Sequence, residues 1–381
     1  MHSSPGSLPP NGVLTRMKMD IENAAGMIRK SVAASSPILL RYHGDCDGIC
    51  AALSFYLAIK GLVGEKEFPE YRKKMLVFKN PSAIYDLRSV LDDLELIRNM
   101  DAHATPLAIL TDFAVNIESL DSLKALRKAG FEILLADHHP LIPEVSQMAN
   151  LLVSPWEHGG NSDYSAGLIA GEIARRIKPL EDFDELQKVA LTGDKSKLLQ
   201  PDEELKRKAL VLDFVASSSD FAESLELYYS ILKDSKNVES IYKKAMKKIE
   251  LAKKDAAKYV KLKEFDNGFR LVLIRLDRLR SGEFPGKGKM CGEIHDDFDR
   301  KVDAPLVTVG YGDRMMHFRA NSKAREAGFN ANRLIGELKS EMSNAIESGG
   351  GHDVAAGLRV NEGFERMVLE DIIKKVQSIG K

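Results

Sequence analysis

The sequence is organised around Pro37-Ile-Leu-Leu-Arg-Tyr-His43-Gly-Asp45-Cys-Asp47-Gly48. The apolar run at its start predicts a buried strand, and that strand stops abruptly at a histidine and two aspartates. Because unpaired carboxylates gathered at the end of a strand repel one another, their charge needs compensation. A divalent cation is the obvious compensating group.

Two other predicted strands end in the same way. Residues 106–111 lead into Asp112, and residues 131–136 lead into Asp137-His138-His139. In open α/β sheets the strands are parallel and ligands bind outside their carboxyl ends, so these tips are carried to one edge. The sequence therefore predicts a shared site built from segments that are far apart in the chain.

Composition sets limits on the class of protein. The chain has 381 residues, of which 44% are hydrophobic and 29% charged, which is enough for two ordinary globular domains. Its formal net charge is −1, so any contact with nucleic acid must come from local basic patches. Three cysteines form no disulfide framework, and no apolar run approaches the roughly 20 residues that span a bilayer. We therefore expect a cytoplasmic protein with no membrane contact.

Helices and strands alternate from about residue 36 to 194, which predicts a doubly wound parallel sheet of the α/β class. A smaller α/β domain follows a helical stretch. The expected organisation is a disordered leader at 1–18, a first domain at 19–200, a helical connector at 201–264 and a second domain at 265–381.

The connector is expected to end in one long helix at residues 242–263. That segment carries nine lysines against two acidic residues, a net charge of +7. A solvated outer face and a groove wall that tracks a nucleic-acid backbone are equally good interpretations.

The second domain contains Ser348-Gly-Gly-Gly-His352. Consecutive glycines expose backbone N–H groups and His352 adds a donor, so the segment is suited to cradle a phosphate or a terminal nucleotide. A glycine triplet alone is more often a flexible turn.

The acidic tips supply oxygen and nitrogen ligands without cysteine, which favours Mn²⁺ or Mg²⁺, and Mn²⁺ more because it accepts histidine readily. Zinc stays open as an alternative. There are too many ligands for one ion, so we expect two divalent ions that share a carboxylate, an arrangement that suits hydrolysis of phosphate esters. Asp194, which follows Gly193, is by itself as well explained as an ordinary acid at a helix end.

These motifs resemble a known family. The segments at His43–Gly48, Asp112, Asp137–His139 and Gly193-Asp194 look like the four ordered motifs of the DHH phosphoesterase superfamily, and residues 348–357 resemble the signature of its DHH-associated domain. The spacing is most similar to RecJ-like single-strand exonucleases, including the archaeal type that associates with the GINS complex. Type II inorganic pyrophosphatases share the first domain but end in a different second one.

The resemblance implies a role for each motif. One ion would be held by His43, Asp45 and Asp112, and a second by Asp47, Asp112, His138 and Asp194. His139 would face the scissile phosphate, and Asp137 would orient the histidine pair, so that Asp112, His139 and Asp137 form the catalytic set. In the second domain the residues that correspond to the family's nucleotide-binding positions are Arg319, Asn321, Ser322, Gly350, Gly351 and His352.

The expected function is then a metal-dependent exonuclease that hydrolyses single-stranded DNA or RNA through a two-metal-activated hydroxide, in replication or repair. A phosphodiesterase of short oligonucleotides or cyclic dinucleotides would share every ligand and differ in the width of its cleft. A third reading is a replisome scaffold, bound to GINS and the replicative helicase, with residual nuclease activity. Scaffolds of that branch tend to lose ligands, whereas all of them are present here.

Overall fold

The computed structural model describes residues 12–80, 82, 84–100, 104–218, 224–279 and 284–380. The chain divides into two compact units, Met1–Tyr242 and Lys243–Lys381. The predicted connector, 201–264, is therefore shared between the two units. Of the predicted leader, residues 1–11 lie outside the described residues, and the prediction of disorder is wrong for 12–16, which form a helix with Val13 buried.

The first unit contains a five-stranded sheet in the order β2-β1-β3-β4-β5, and every neighbouring pair is parallel. The strands are β1 Ile38–His43, β2 Met75–Asn80, β3 Leu107–Thr111, β4 Glu132–Ala136 and β5 Leu151–Val153. The predicted doubly wound parallel sheet is confirmed. The direction in which successive strands are added to the sheet reverses between β1 and β3, the position at which ligands bind in sheets of this kind.

Helices cover both faces of this sheet. They are α1 Gly12–Arg16, α2 Lys18–Ala33, α3 Cys46–Val63, α4 Phe68–Arg72, α5 Leu87–Arg98, α6 Leu120–Lys128, α7 Pro143–Ser146, α8 Ala166–Ile177, α9 Asp182–Gly193, α10 Glu203–Ser217 and α11 Leu225–Lys233. Helices α5, α6 and α7 pack on one face through a core that includes Leu94, Leu123 and Val145. Helices α2, α3 and α8 pack on the other face.

Helix α3 begins directly at the predicted site. Asp45 is its N-cap, and one carboxylate oxygen accepts a hydrogen bond from the Gly48 N–H at 3.0 Å. Position 48 must be glycine, because a Cβ there would lie 2.3 Å from the His43 carbonyl oxygen. Among the described residues, α3 is the one helix long and apolar enough to cross a membrane, and most of it is buried inside the first unit.

The second unit contains a mixed six-stranded sheet in the order β10-β11-β9-β8-β7-β6. Its strands are β6 Val260–Glu264, β7 Arg270–Arg275, β8 Leu306–Gly312, β9 Met315–Ala320, β10 Ile346–Gly351 and β11 Ala355–Val360. The helices are α12 Ser235–Ala256, which begins in the first unit, then α13 Lys287–Asp299, α14 Ser322–Glu326, α15 Ala331–Glu341 and α16 Glu365–Ser378. Separate apolar clusters lie on the two faces of the sheet, so the second predicted α/β domain is confirmed.

The helix predicted for residues 242–263 is wrong in its last third. Helix α12 ends at Ala256, and Val260-Lys-Leu-Lys-Glu264 forms strand β6, paired antiparallel with β7. The alternation of apolar and charged residues in this segment has the period of a strand, which competes with the helical pattern before it. Helix α13 was not expected, because its segment is rich in glycine; burial of Met290 and Cys291 overrides that low propensity.

A buried ion pair fastens α5 to the strand that leads into the site. Arg41 on β1 and Asp93 on α5 form a bidentate pair, with Nη2 donating to Oδ1 at 2.7 Å, and they are 7% and 1% exposed. The Tyr85 hydroxyl also donates to Asp93, and Arg41 Nη1 donates to the Asn80 side chain at 3.2 Å. This network joins β1, β2 and α5 around one buried guanidinium.

Replacing Asp93 by alanine should lower the free energy of unfolding by about 3–5 kcal/mol, because the change leaves the Arg41 charge buried without its partner. Urea titration followed by circular dichroism measures this loss. As a control, Asp121→Ala removes an exposed ion pair with Lys124 and should cost about 1 kcal/mol or less. Equal losses in the two variants would contradict the structural role of the buried pair.

Candidate metal centre

The first two ligand segments meet at the ends of β1 and β3. His43 is the last residue of β1, and its Nδ1 lies 2.8 Å from Asp45 Oδ2 and 3.5 Å from Asp112 Oδ2. Asp112 directly follows β3 with a φ of +66°, a left-handed conformation that aspartate adopts more readily than most residues. The Asp112 side chain is 2% exposed, so its charge is held inside the protein.

Asp112 also faces the histidine pair that follows β4. Its Oδ1 lies 3.2 Å from His138 Nε2 and 3.9 Å from His139 Nδ1. His138 Nε2 is in turn 3.7 Å from Asp47 Oδ2 and 3.5 Å from Asp194 Oδ2. The Asp112 carboxylate therefore lies between the His43 end and the His138 end of one continuous cluster.

Each histidine ring is oriented by a hydrogen bond at Nδ1. His138 Nδ1 is 2.9 Å from the Ser162 carbonyl oxygen, which can only accept, so Nδ1 carries a proton and the lone pair of the neutral ring is on Nε2. His139 Nδ1 and the His139 backbone N–H both lie 2.8 Å from Asp137 Oδ1. Asp137 therefore holds the His139 ring in one orientation relative to the His139 backbone.

Crowding of carboxylates changes the proton affinity of the cluster. Burial and the neighbouring Asp112 carboxylate raise the pKa of Asp47 to about 7. Burial and the Asp47 carboxylate raise the pKa of Asp194 well above its ordinary value. Burial opposes protonation of His138, but the Asp194, Asp112 and Asp47 carboxylates outweigh it and raise the pKa of His138. In the protein alone this edge therefore favours the binding of protons, which offset the repulsion among its carboxylates.

The donor set fits divalent metal ions. Three buried carboxylate oxygens in the cluster, Asp112 Oδ2, Asp137 Oδ2 and Asp194 Oδ2, accept no hydrogen bond within the described part of the chain. Among the described residues of the first unit, three groups have donor atoms within 4.8 Å of one another, and all include Asp112: His43–Asp45–Asp112, Asp47–Asp112–His138 and Asp112–Asp137–His139. The first two correspond to the two predicted ligand groups. Buried, uncompensated oxygens beside imidazole nitrogens are the chemistry that Mn²⁺ and Mg²⁺ require.

The predicted nucleotide-binding residues lie in the second unit. Arg319 is on β9, half-buried, and donates to the Phe318 carbonyl at 2.8 Å. Gly350 and Gly351 lie on β10 at the edge of the sheet, and Gly351 has a φ of +141°. The His352 N–H donates to the Ala355 carbonyl at 2.8 Å and closes the turn to β11. Ser322 is exposed at the first position of α14.

The assignment of Asn321 to substrate is corrected by the structure. Its Oδ1 accepts from the backbone N–H groups of Leu306 and Ala324, and its Nδ2 donates to Asp299 and the Ala304 carbonyl. All the hydrogen-bonding capacity of the amide is used inside the unit. Asn321 caps α14 and holds it to β8, and it has no group left for a nucleotide.

Three supporting residues were not predicted from the sequence. The Trp156 indole and the Ser162 hydroxyl both donate to the His138 carbonyl at 2.9 Å. Asp213 on α10 accepts from the Cys46 N–H at 2.9 Å, at the start of α3. Nothing in the local pattern singles out Asp213, whereas the polar run Asn161-Ser-Asp163 before α8 could have been recognised as a capping segment.

Known proteins share sequence with this chain over the region that contains the candidate metal centre. Residues 37–193 match the model of the DHH family, N-terminal domain. The uncharacterized protein MJ1198 of Methanocaldococcus jannaschii is 27% identical over 96% of this chain and 55% of its own length. This chain therefore spans about half the length of that curated relative.

Two solved structures share the architecture. One is described as the DHH domain of a member of the s1p family of ribosomal proteins; it is 29% identical, covers 100% of this chain and 95% of its own, and has a TM-score of 0.90. The other is RecJ in complex with Mn²⁺ from Thermus thermophilus, with 14% identity, 98% and 56% coverage and a TM-score of 0.60. The second likeness shows the fold alone.

The parallel sheet carries histidines and aspartates at its switch point, and this edge is suited to divalent metals. Residues 37–193 match the DHH family, N-terminal domain, and the fold of the chain is similar to that of RecJ, in agreement with the resemblance of the sequence motifs.

Mn²⁺ should raise the melting temperature of the protein, since it binds the folded cluster and relieves its repulsion. At about 100 times the dissociation constant the gain is about 2.7 kcal/mol, or roughly 5–10 °C for a unit of this size. Scanning calorimetry in EDTA and in Mn²⁺ measures the shift. Asp112→Ala should abolish the shift while melting no lower than the wild type in EDTA. A full shift in that variant would place the metal elsewhere.

Proposed function

We propose that this protein is a metal-dependent phosphodiesterase, an exonuclease that hydrolyses single-stranded DNA or RNA in replication or repair. One observation carries the proposal: the buried Asp112 carboxylate belongs to both ligand groups at the edge of the parallel sheet. A carboxylate shared by two groups is what a two-ion phosphoesterase needs. The RecJ-like fold supports nucleic acid as the substrate class.

In this proposal His43, Asp45 and Asp112 hold one divalent ion, and Asp47, Asp112, His138 and Asp194 hold the other. Mn²⁺ is preferred to Mg²⁺ because imidazole nitrogens are part of the set. When bound, the ions supply Lewis acidity, which activates water and neutralises charge that develops on the phosphoryl group. The chain's own contribution is to orient the His138 ring through the Ser162 carbonyl at Nδ1, so that Nε2 is the atom that faces the carboxylates and would hold the ion.

His139 is proposed to face the scissile phosphate. Because Asp137 holds the proton at His139 Nδ1, the Nε2 atom is the one available to the substrate. Asp137 is 0% exposed, and its Oδ1 atom contacts both the ring and the backbone N–H of His139, so its role is to orient that ring. We assign Asp137 and His139 to the catalytic set together with Asp112.

The second unit is proposed to be a DHH-associated domain that binds the terminal nucleotide. Arg319, Ser322, Gly350, Gly351 and His352 are its binding residues. An arginine on a strand and glycine backbone at a sheet edge offer N–H donors to phosphate oxygens.

Length of substrate distinguishes the exonuclease from a phosphodiesterase of short oligonucleotides or cyclic dinucleotides. Lysines on and beyond α12 are exposed, among them Lys247, Lys254 and Lys258. A basic stripe of this kind binds nucleic-acid backbone without sequence preference and favours longer strands. We therefore prefer the exonuclease.

A scaffold bound to GINS and the replicative helicase is the remaining alternative. The complete ligand set, of which Asp47, Asp112 and His138 are buried, supports catalysis, because such crowded carboxylates destabilise a protein that binds no metal. Both partners stay proposals, as does a cytoplasmic location. Pull-down of the Asp112→Ala variant with GINS components would separate a binding role from hydrolysis.

Asp112→Ala should abolish hydrolysis of a labelled single strand, with a loss of at least 1,000-fold, about 4 kcal/mol in the barrier. Without the shared carboxylate the two ions repel each other. A gel assay with 5′- and 3′-labelled strands in saturating Mn²⁺ measures activity, and Asp121→Ala serves as the surface control. A variant that kept a tenth of wild-type activity would contradict the two-ion proposal.

Reversing the charges of Lys247, Lys254 and Lys258 should weaken binding of a 30-mer about 10-fold or more. The salt dependence of that binding should become less steep, because contacts to the nucleic-acid backbone release counterions in proportion to their number. A dinucleotide should lose less than about two-fold in kcat/KM. Reversal of Lys73, Lys124 and Lys206, exposed lysines of the first unit, changes the net charge equally and should spare both substrates. Equal losses on 30-mer and dinucleotide would show that the stripe is solvated surface.

A further inference from the structure

One loop of the first unit touches both the His138 and the Asp47 side of the candidate metal centre. It runs over residues 159–165, between the 3₁₀ turn Pro155–His158 and helix α8. Its residues are neither ligands nor members of the catalytic set proposed above. We call residues 161–165 together with Trp156 the support loop.

The support loop grips His138 at two places. The Ser162 carbonyl accepts a hydrogen bond from His138 Nδ1 at 2.9 Å, and the Ser162 hydroxyl donates a hydrogen bond to the His138 carbonyl at 2.9 Å. The Trp156 indole N–H donates to the same carbonyl, also at 2.9 Å. With its backbone and its ring both fixed, His138 can rotate neither Nε2 nor the main chain away from Asp112.

The same loop leads into helix α8, whose first N–H groups donate hydrogen bonds to Asp47 on α3. Ser165 is the N-cap of α8, and the next two N–H groups, of Ala166 and Gly167, donate to Asp47 Oδ2 at 2.7 Å and Oδ1 at 2.8 Å. Gly167 is required there, because a Cβ would lie 2.5 Å from the Ala190 side chain and 3.0 Å from Asp47 Oδ1. Asp47 is thus pinned at both oxygens by the start of α8.

A third connection reaches the segment after Asp194. The Ser196 hydroxyl donates to the Asp163 carbonyl, and the Lys197 N–H donates to Asp163 Oδ1 at 3.3 Å. Three residues of the His138-side group, His138, Asp47 and Asp194, therefore lie on or beside segments bonded to this one stretch. Their relative positions depend on its conformation.

The His43 side is supported from different elements. Asp45 accepts from Gly48 N–H, and the adjoining Cys46 N–H donates to Asp213 on α10. Helix α10 lies beyond the residues matched by the family model. The two sides share Asp112, which directly follows β3, and the turn at the start of α3, which carries Asp45 for one side and Asp47 for the other.

We propose that the support loop is the positioning element of the His138-side metal subsite alone, and that Trp156 and Ser162 set the affinity of that subsite without touching the other. The inference rests on the proposed two-ion function. Loss of outer hydrogen bonds to a ligating histidine typically costs about 10–100-fold in metal affinity. That cost should therefore fall on one ion of the two.

The experiment measures Mn²⁺ binding by electron paramagnetic resonance in two backgrounds. His43→Ala leaves the His138-side subsite, and His138→Ala leaves the His43-side subsite; neither removes Asp112. In the His43→Ala background, adding Trp156→Phe and Ser162→Ala removes both donors to the His138 carbonyl. The affinity for Mn²⁺ should fall about 10-fold, the lower end of the range, because the Ser162 backbone carbonyl still orients the ring. In the His138→Ala background the same pair should change affinity less than about two-fold. Equal weakening in both backgrounds, or none in either, overturns the proposal.

Three controls distinguish a specific loss of metal affinity from general damage to the fold. Ser146→Ala removes a hydroxyl-to-carbonyl bond of the same kind, to Ile142, at a distance from the ligands and should leave both affinities unchanged. Ser162→Thr keeps the hydroxyl and should restore affinity. Circular dichroism reports folding; if the combined variant unfolds, the single Trp156→Phe change, at an indole 39% exposed, gives the same comparison. Absence of nuclease activity in a wild type that binds two Mn²⁺ ions would contradict the proposed function and leave this inference standing.

Discussion

Repulsion among buried carboxylates at the edge of the parallel sheet is the constraint on which the first unit depends. Asp112 lies between His43 and His138 with its charge out of water, and Asp47 and Asp194 lie within reach of the same imidazole. Backbone N–H groups and histidines offset part of this charge, and the rest calls for a cation. The sheet topology explains why this crowding exists at all: parallel strands deliver their carboxyl ends to one place.

The sequence allowed three of the four ligand segments to be found because each of the three follows a short apolar run that is typical of a buried strand. Asp194 follows helix α9 instead, and only the family resemblance indicated it. His43, Asp112 and His138 could be grouped before the fold was known, since the topology of α/β sheets brings strand ends together. The same reasoning cannot reach Asp213 or Trp156. Their contacts join residues 167 and 18 positions apart and depend on how helices dock, which no periodicity encodes.

Errors in the second unit arise where contacts with distant segments override the local pattern. The lysine-rich segment of strand β6 continues a helical pattern, but it pairs antiparallel with β7, although four of its five residues are exposed. The glycine-containing segment of α13 forms a helix because Met290 and Cys291 are buried in an apolar cluster against the sheet. Asn321 shows the converse error. A polar residue next to Arg319 fits a nucleotide grip in sequence, but its amide is fully occupied by four bonds inside the unit. Only the packed structure distinguishes a cap from a ligand-binding side chain.

Helix α3 carries a consequence for synthesis of the chain. It is an 18-residue apolar helix whose covering helices, α8 and α9, are completed about 130 residues later. At translation rates of about 5–20 residues per second, its apolar surface is made roughly 7–26 s before the helices that bury it. During that interval a nascent segment of this composition resembles a substrate for membrane insertion or for a holding chaperone. The candidate metal-binding turn at its start is therefore among the last parts of the first unit to acquire its final surroundings.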